Sequence, residues 1–324
     1  MTQLALGVDV GGTNSKFGIT DRVGNVIVQS KINTQGYLDF SGFIQELKIQ
    51  VGRIHSLEEV VGIGVGAPNG NFYKGTIEYP PNLPWVGVSD FAAEIERVFE
   101  KKCVVTNDAN AAALGEMTFG KARGMKDFLV ITLGTGLGGG IVANGELVHG
   151  KHGFAGELGH TLVDANGRKC GCGKIGCLET YVSATGVRTT VYELLADKTR
   201  ESVLRSISFG ELTTKKVAQA ATKGDKVAIE AFDYTGRILG TKLADFIVHT
   251  DPETIFLLGG LSRAGAHIFN PTKENMDLNL LPLFLDKEIQ LQSSGLKDDD
   301  AAILGASSLV WKYIDREVNL ESSQ

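Results

Sequence analysis

The chain has 324 residues, 43% hydrophobic and 22% charged, an ordinary balance for a folded protein long enough to build two sizeable cores. Its formal net charge of -6 argues against general affinity for nucleic acid or an anionic membrane. No stretch is long and apolar enough to cross a bilayer, and no cationic segment followed by an apolar one opens the chain, so a cytoplasmic setting is expected.

In chain order, an apolar run over 4–10 predicts a strand that ends in the glycine turn Asp9-Val10-Gly11-Gly12-Thr13. Strands over 17–19 and 26–28 follow, joined through a turn at 21–25, and apolar spacing predicts a helix over 40–54. A strand over 60–65 stops at Gly66-Ala67-Pro68; then come a helix over 91–99, a strand over 103–106 and an alanine-rich helix over 107–119. The pattern restarts with a buried strand over 128–133, a glycine loop over 134–140 and a strand at 141–142. A long helix is predicted over 226–249, a strand over 254–258 ending in Gly259-Gly260, and a last helix over 300–313. Two halves that each open with strand, glycine turn and strand predict a duplicated α/β architecture with a cleft between lobes.

His160, Cys170, Cys172 and Cys177 fall in one short stretch, at the spacing of a closed tetrahedral zinc site. Gly171, Gly173 and Gly176 let that stretch fold tightly; a metal-free turn or a disulfide are the alternatives, and nothing else in the chain suggests an oxidising compartment. A full shell of three cysteines and a histidine leaves no position for water, so the ion is expected to brace a loop. That brace would bring Glu157 and Glu179 into one neighbourhood.

Three glycine turns carry a nucleotide expectation. The turn at Gly11, Gly12 and Thr13 and the loop holding Thr135, Gly136 and Gly138 each let backbone N–H groups approach phosphate, while Gly259 and Gly260 offer bare backbone to an adenine ring. No P-loop sequence is present. Asp9 is expected to hold Mg2+ through water, and Lys16 either reaches a phosphate or is a solvated surface lysine. Asp108, between a strand and a helix, is the candidate general base, although Asp is also a common helix N-cap; Asn107 beside it suits paired hydroxyls. The base would take a proton from a sugar hydroxyl as it attacks the γ-phosphoryl group.

These motifs resemble the ROK family (repressors, open reading frames and kinases) of the actin and hexokinase superfamily, whose fold is a two-lobed, duplicated, ribonuclease H-like α/β architecture with a central cleft. The resemblance runs from Asp9–Thr13 through Gly66–Pro68, Asn82-Leu83-Pro84-Trp85, Thr106–Ala113, Leu133–Gly140, Gly156–His160, the cysteines to Glu179, Gly259-Gly260 and Asp299–Ala306. It implies an ATP-dependent hexokinase with Asp108 as base, with Asn82, Asn107, Asp108, Glu157, His160 and Glu179 on the sugar, and with zinc on His160, Cys170, Cys172 and Cys177. It also implies a smaller lobe over 1–118 completed by a C-terminal helix over 300–316, a larger lobe over 119–299, and a homodimer or homotetramer. Asn14 stands where lysine is frequent, a small departure because the turn acts through its backbone.

Segment 82–85 and the Glu157, His160, Glu179 set resemble the branch that phosphorylates the 6-hydroxyl of glucose. Kinases of N-acetylmannosamine, N-acetylglucosamine, fructose and allose share most of these residues, and loops 68–84 and 135–156 are expected to separate them. A buried acceptor without a donor costs about 1–3 kcal/mol, so such a polar ring favours a polyol. Lobe closure around it would exclude water and limit ATP hydrolysis. Family repressors carry a DNA-binding domain before the sugar lobes, for which the turn at Asp9 leaves no room, and a non-catalytic sugar sensor is expected to have lost Asp108 or a phosphate turn.

Overall fold

The computed structural model describes residues 3–297 and 300–321, with side chains as far as Lys312. Asp299 and the side chains beyond 312 in the expected C-terminal helix therefore lie outside the described residues. Strands β1 (Leu4–Asp9), β2 (Asn14–Asp21) and β3 (Val26–Asn33) form an antiparallel meander. Helix α1 (Phe40–Ile54) is capped by the Asp39 carboxylate, which accepts from the Gly42 N–H, and buries Phe43, Ile44, Leu47 and Val51 along one face. β4 (Val60–Ala67) returns parallel to β1, and β5 (Gly70–Asn71), β6 (Thr76–Glu78) and β7 (Val88–Ser89) make a small sheet apart. Helix α2 (Phe91–Phe99), β8 (Cys103–Asn107) and α3 (Asp108–Phe119) close the first half.

The second half opens with β9 (Phe128–Leu133), β10 (Leu137–Ala143) and β11 (Glu146–Leu147). The cysteine segment follows, then α4 (Ala184–Leu195), α5 (Thr214–Thr222), α6 (Lys226–Thr250), β12 (Thr254–Leu258), α7 (Ala266–Leu278), β13 (Gln290–Ser293) and α8 (Ala301–Glu321). The two large sheets have matching topology, β3-β2-β1-β4-β8 and β11-β10-β9-β12-β13. In each, the first strand pairs antiparallel with the second and parallel with the fourth, so the duplication expected from the glycine turns is a duplication of strand order.

Helices α3 and α8 lie between the sheets. Ala112, Ala113 and Leu114 of α3 and Leu309 of α8 share a core with Phe128, Val130, Val142 and Phe256 of the second sheet, while Val310 and Trp311 pack on Ala5 and Val61 of the first. Gly64 in β4 lets α8 come this close: a Cβ there would strike the Ala306 carbonyl oxygen.

Predicted helices over 40–54 and 91–99 and strands over 128–133 and 254–258 coincide with α1, α2, β9 and β12. The glycine loop over 134–140 does not: only 134–136 is loop, and Gly138, Gly139 and Gly140 pair within β10 with Thr132, Ile131 and Val130. Gly138 and Gly140 are spacers beneath α3, since a Cβ on Gly138 would lie 2.8 Å from Ala109 Cβ and one on Gly140 2.7 Å from the Ala109 carbonyl oxygen, while Gly139 faces the other way, where a Cβ would lie 2.7 Å from the Gly156 carbonyl oxygen.

Candidate active site between the two sheets

Strand order brings the ends of β1, β9 and β12 and the start of α3 to one place. A cavity of about 210 Å³ there is lined by Asp9, Asp108, Thr132, Leu258, Gly259 and Arg263, with alanines of α3 and α8 behind. Ligands in open α/β folds sit in such a crevice, at the carboxyl ends of strands. Larger surface hollows on the second half are lined by ion-paired residues such as Glu193 and Glu230.

Asn107, rather than Asp108, caps α3: its side-chain oxygen accepts from the Ala109 N–H at 2.8 Å, and its backbone is extended. Asp108 stands at the first helical position, and one oxygen also accepts from the Ala109 N–H at 2.8 Å. Its side chain opens on the cleft but is surrounded by protein, and that burial holds its pKa above the ordinary carboxylate range. Asp9 is pushed up to about 7 by burial and then by the Asp108 charge, with Lys16 opposing. Lys16 is half-buried and directly opposite Asp9 in the β1–β2 pairing. Two repelling carboxylates in one cavity suit a divalent cation with a phosphate chain.

The first glycine turn is tied down by Val10 N–H to the Gly66 carbonyl (2.8 Å) and Thr34 N–H to that of Thr13 (2.9 Å). Asn82 passes directly over it, so that a Cβ on Gly12 would lie 2.8 Å from the Asn82 carbonyl oxygen. Thr135 is exposed in the second turn, and Gly136 abuts the Glu179 carboxylate. Gly259 has φ 105°, a conformation open to glycine, and a Cβ on Gly260 would meet no atom within 4 Å, so this turn presents bare backbone.

In the cysteine segment, one ligand atom each from His160, Cys170, Cys172 and Cys177 lie within 4.8 Å of one another. Cys172 Sγ and Cys177 Sγ are 3.7 Å apart, as are Cys170 Sγ and His160 Nδ1. Zinc–sulfur bonds of about 2.3 Å place neighbouring sulfurs of a tetrahedron about 3.8 Å apart, whereas a disulfide needs about 2.05 Å. All four cysteines are free thiols in this structure. Burial pushes the Cys170 thiol up to about 12, and a bound cation is what would hold it as thiolate. The donor set and its spacing fit zinc.

Two acidic groups stand beside this cluster. The His160 Nε2 edge lies 3.8 Å from a Glu157 carboxylate oxygen, while Glu179 accepts from the Leu137 N–H at 2.9 Å and stands 3.8 Å from Cys170 Sγ. Burial holds the Glu157 pKa above its ordinary value, with Asp108 and Glu179 adding to the effect and His160 opposing it. Glu157, from the second half, thus feels the charge of Asp108, from the first. Loops 68–84 and 135–156 also meet: the Asn71 amide donates to the His152 carbonyl at 2.9 Å, and Phe72 stacks on His149 with ring centres 4.0 Å apart.

Over residues 5–313 the sequence matches the model of the ROK family. The chain belongs to the ROK family. A glucokinase of Halalkalibacterium halodurans is 37% identical over 316 residues, covering 94% of each chain, and one of Thermotoga maritima is 33% identical over 95% of this chain and 98% of its own. Among solved structures, a ROK glucokinase from Streptomyces griseus in complex with glucose and AMPPNP superposes with a TM-score of 0.81 at 32% identity, over 94% of this chain and 98% of that one.

Thr132 and Arg263, which line the cavity, and Asn110 near it went unread in the sequence. Thr132 is the last residue but one of β9, close to the 134–136 turn, and strand ends border the ligand crevice in such folds. Asn110 lies one helical turn beyond Asn107 and is 1% exposed, its side-chain oxygen without a hydrogen-bond partner among the described residues. Arg263 follows the last glycine turn, and no local pattern distinguishes it from a surface arginine.

Proposed function

We infer that the chain is an ATP-dependent hexokinase that phosphorylates the 6-hydroxyl of glucose, with Asp108 as general base. The observation that carries this reading is the meeting of Asp108 and Asp9 in one cavity beside the Gly259 turn, in a chain whose ROK relatives include glucokinases. Asp108 takes the proton of the attacking hydroxyl, and its raised pKa makes it a better proton acceptor than an ordinary carboxylate. Asn107 keeps its NH2 for a neighbouring hydroxyl because its oxygen is engaged as the cap. Asn82, Glu157, His160 and Glu179 complete the sugar contacts. The turns at Gly11–Thr13, Thr135–Gly136 and Gly259–Gly260, with Lys16, receive the nucleotide. Mg2+ beside Asp9 would supply charge neutralisation for the phosphates. Zinc on His160, Cys170, Cys172 and Cys177 would fix the loop between Glu157 and Glu179.

Four free cysteines suit a reducing compartment, which supports the cytoplasmic reading. No helix among the described residues is long and apolar enough to cross a membrane. The test is ADP release from Mg-ATP over glucose, mannose, fructose, allose, N-acetylglucosamine and N-acetylmannosamine. Preference for glucose is expected; turnover with another sugar moves only the specificity, and silence with every sugar from folded, zinc-loaded protein favours a sensor.

A further inference from the structure

Between the proposed zinc ligands His160 and Cys170 stands Arg168, whose side chain is only 13% exposed. Its guanidinium donates to the Thr180 carbonyl at 2.8 Å, the Gly186 carbonyl at 3.3 Å, the Thr190 hydroxyl at 2.8 Å and Glu193 Oε1 at 3.1 Å, and it pairs with the second Glu193 oxygen. It also lies 4.6 Å from the centre of the Tyr181 ring, and the Tyr181 hydroxyl accepts from the Arg168 backbone N–H at 3.0 Å. One side chain thus gathers α4 from Gly186 to Glu193 and the two residues that follow Glu179.

On its other side Arg168 anchors the cysteine hairpin. Its carbonyl accepts from the Gly176 N–H at 2.8 Å, Lys169 pairs with Ile175, and the Cys170 N–H donates to the Lys174 carbonyl at 2.9 Å. Cys170 and Cys177 therefore follow wherever the Arg168 backbone is held. Glu179 is fixed from the same point through Thr180 and Tyr181, and it in turn accepts from Leu137 beside the second glycine turn.

We propose that Arg168 is a positioning residue that holds the cysteine hairpin and Glu179 in one fixed relation, so that metal retention and sugar affinity depend on the same clamp. The inference rests on the reading of Glu179 as a sugar contact and of the cysteines as a zinc site. Only a planar fork of donors reaches two carbonyls, a hydroxyl and a carboxylate while lying on an aromatic ring; a lysine ammonium keeps the charge and loses the geometry.

The experiment compares the full chain with Arg168→Lys and Arg168→Ala. Zinc loss to a chromogenic chelator, glucose binding by calorimetry without nucleotide, and KM for glucose and for ATP are measured. Arg168→Lys is expected to fold, to release zinc about 10-fold faster, and to bind glucose about 10-fold more weakly with KM for ATP unchanged. Arg168→Ala should exceed it, and if that variant fails to fold the lysine variant decides. Wild-type zinc retention and glucose affinity in Arg168→Lys would overturn the clamp, and so would equal rises in both KM values, which indicate general loosening. A wild-type chain that takes no sugar refutes the kinase reading instead, and the chelator comparison then judges the clamp alone.

Discussion

Asp9 and Asp108 share a cavity but are set for different tasks by where their backbones lie. Asp108, freed from capping by Asn107, projects into the cleft; Asp108→Asn should keep fold and sugar affinity while turnover falls by at least about 100-fold, checked by steady-state kinetics with sugar-binding calorimetry. Full activity in that variant would remove Asp108 from the mechanism. Asp9 has a folded pKa of about 7 against an ordinary 3.8, so between those pH values the native state binds more protons than the unfolded chain. Stability must fall as pH rises through this window and level off above it. In magnesium-free buffer at pH 8, Asp9→Asn should therefore be more stable than the wild type by on the order of a few kcal/mol, melt correspondingly higher, and lose the slope. Parallel melting curves for the two proteins across pH 4–8, a range set by about those pKa values, would contradict this. Mg2+ should raise the wild-type melting temperature and leave that of Asp9→Asn unchanged.

At the scale of elements, the cysteine segment is the part whose chemistry was readable from spacing. Cys172→Ser removes one corner of the cluster; metal analysis should find zinc in the wild type and little in the variant, with sugar affinity lowered about 10-fold as Glu157 and Glu179 lose their common support. A wild type without zinc would end the brace reading. Strands and helices with strong periodicity, such as α1, α2, β9 and β12, were legible residue by residue because each buries one face or a continuous apolar run. β10 was not, because its Gly138-Gly139-Gly140 run mimics a loop locally, whereas Gly138 and Gly140 act as packing space for a helix some thirty residues earlier and Gly139 for Gly156 and Leu158 on the other face. Helices α4, α5 and α7 and the small β5–β7 sheet also went unread. Arg168 illustrates the same limit in a side chain: nothing in its neighbours announces that it gathers residues up to 193.

Across the whole molecule, two sheets of matching strand order face each other over α3 and α8, and the chain crosses between them after α3 and before α8. Glu116, 1% exposed near the end of α3, fastens both crossings. Its carboxylate accepts from the Lys121 N–H at 2.9 Å, the Gly295 N–H at 2.7 Å and the Ser294 hydroxyl at 2.6 Å. Glu116→Ala leaves those donors unsatisfied and should destabilise the fold by about 3 kcal/mol or more, whereas Glu116→Gln, which keeps an acceptor, should cost less. Urea unfolding of both variants measures the difference, and equal stabilities would show that the carboxylate does not secure the crossings.

The sequence by itself determined the strongly periodic elements, the repeated strand and glycine-turn order, the cluster of His160 with three cysteines and the strand-end position of Asp108, because all of these are written in periodicity and spacing over a few residues. Only the tertiary structure decided which residues share the cavity, that Asn107 takes the cap, that the loops carrying Asn71 and His152 meet, and that Arg168 and Glu116 hold distant segments together. Those contacts join positions brought together by sheet order and helix packing, and burial, which sets their charge states, exists only once the chain has closed around them.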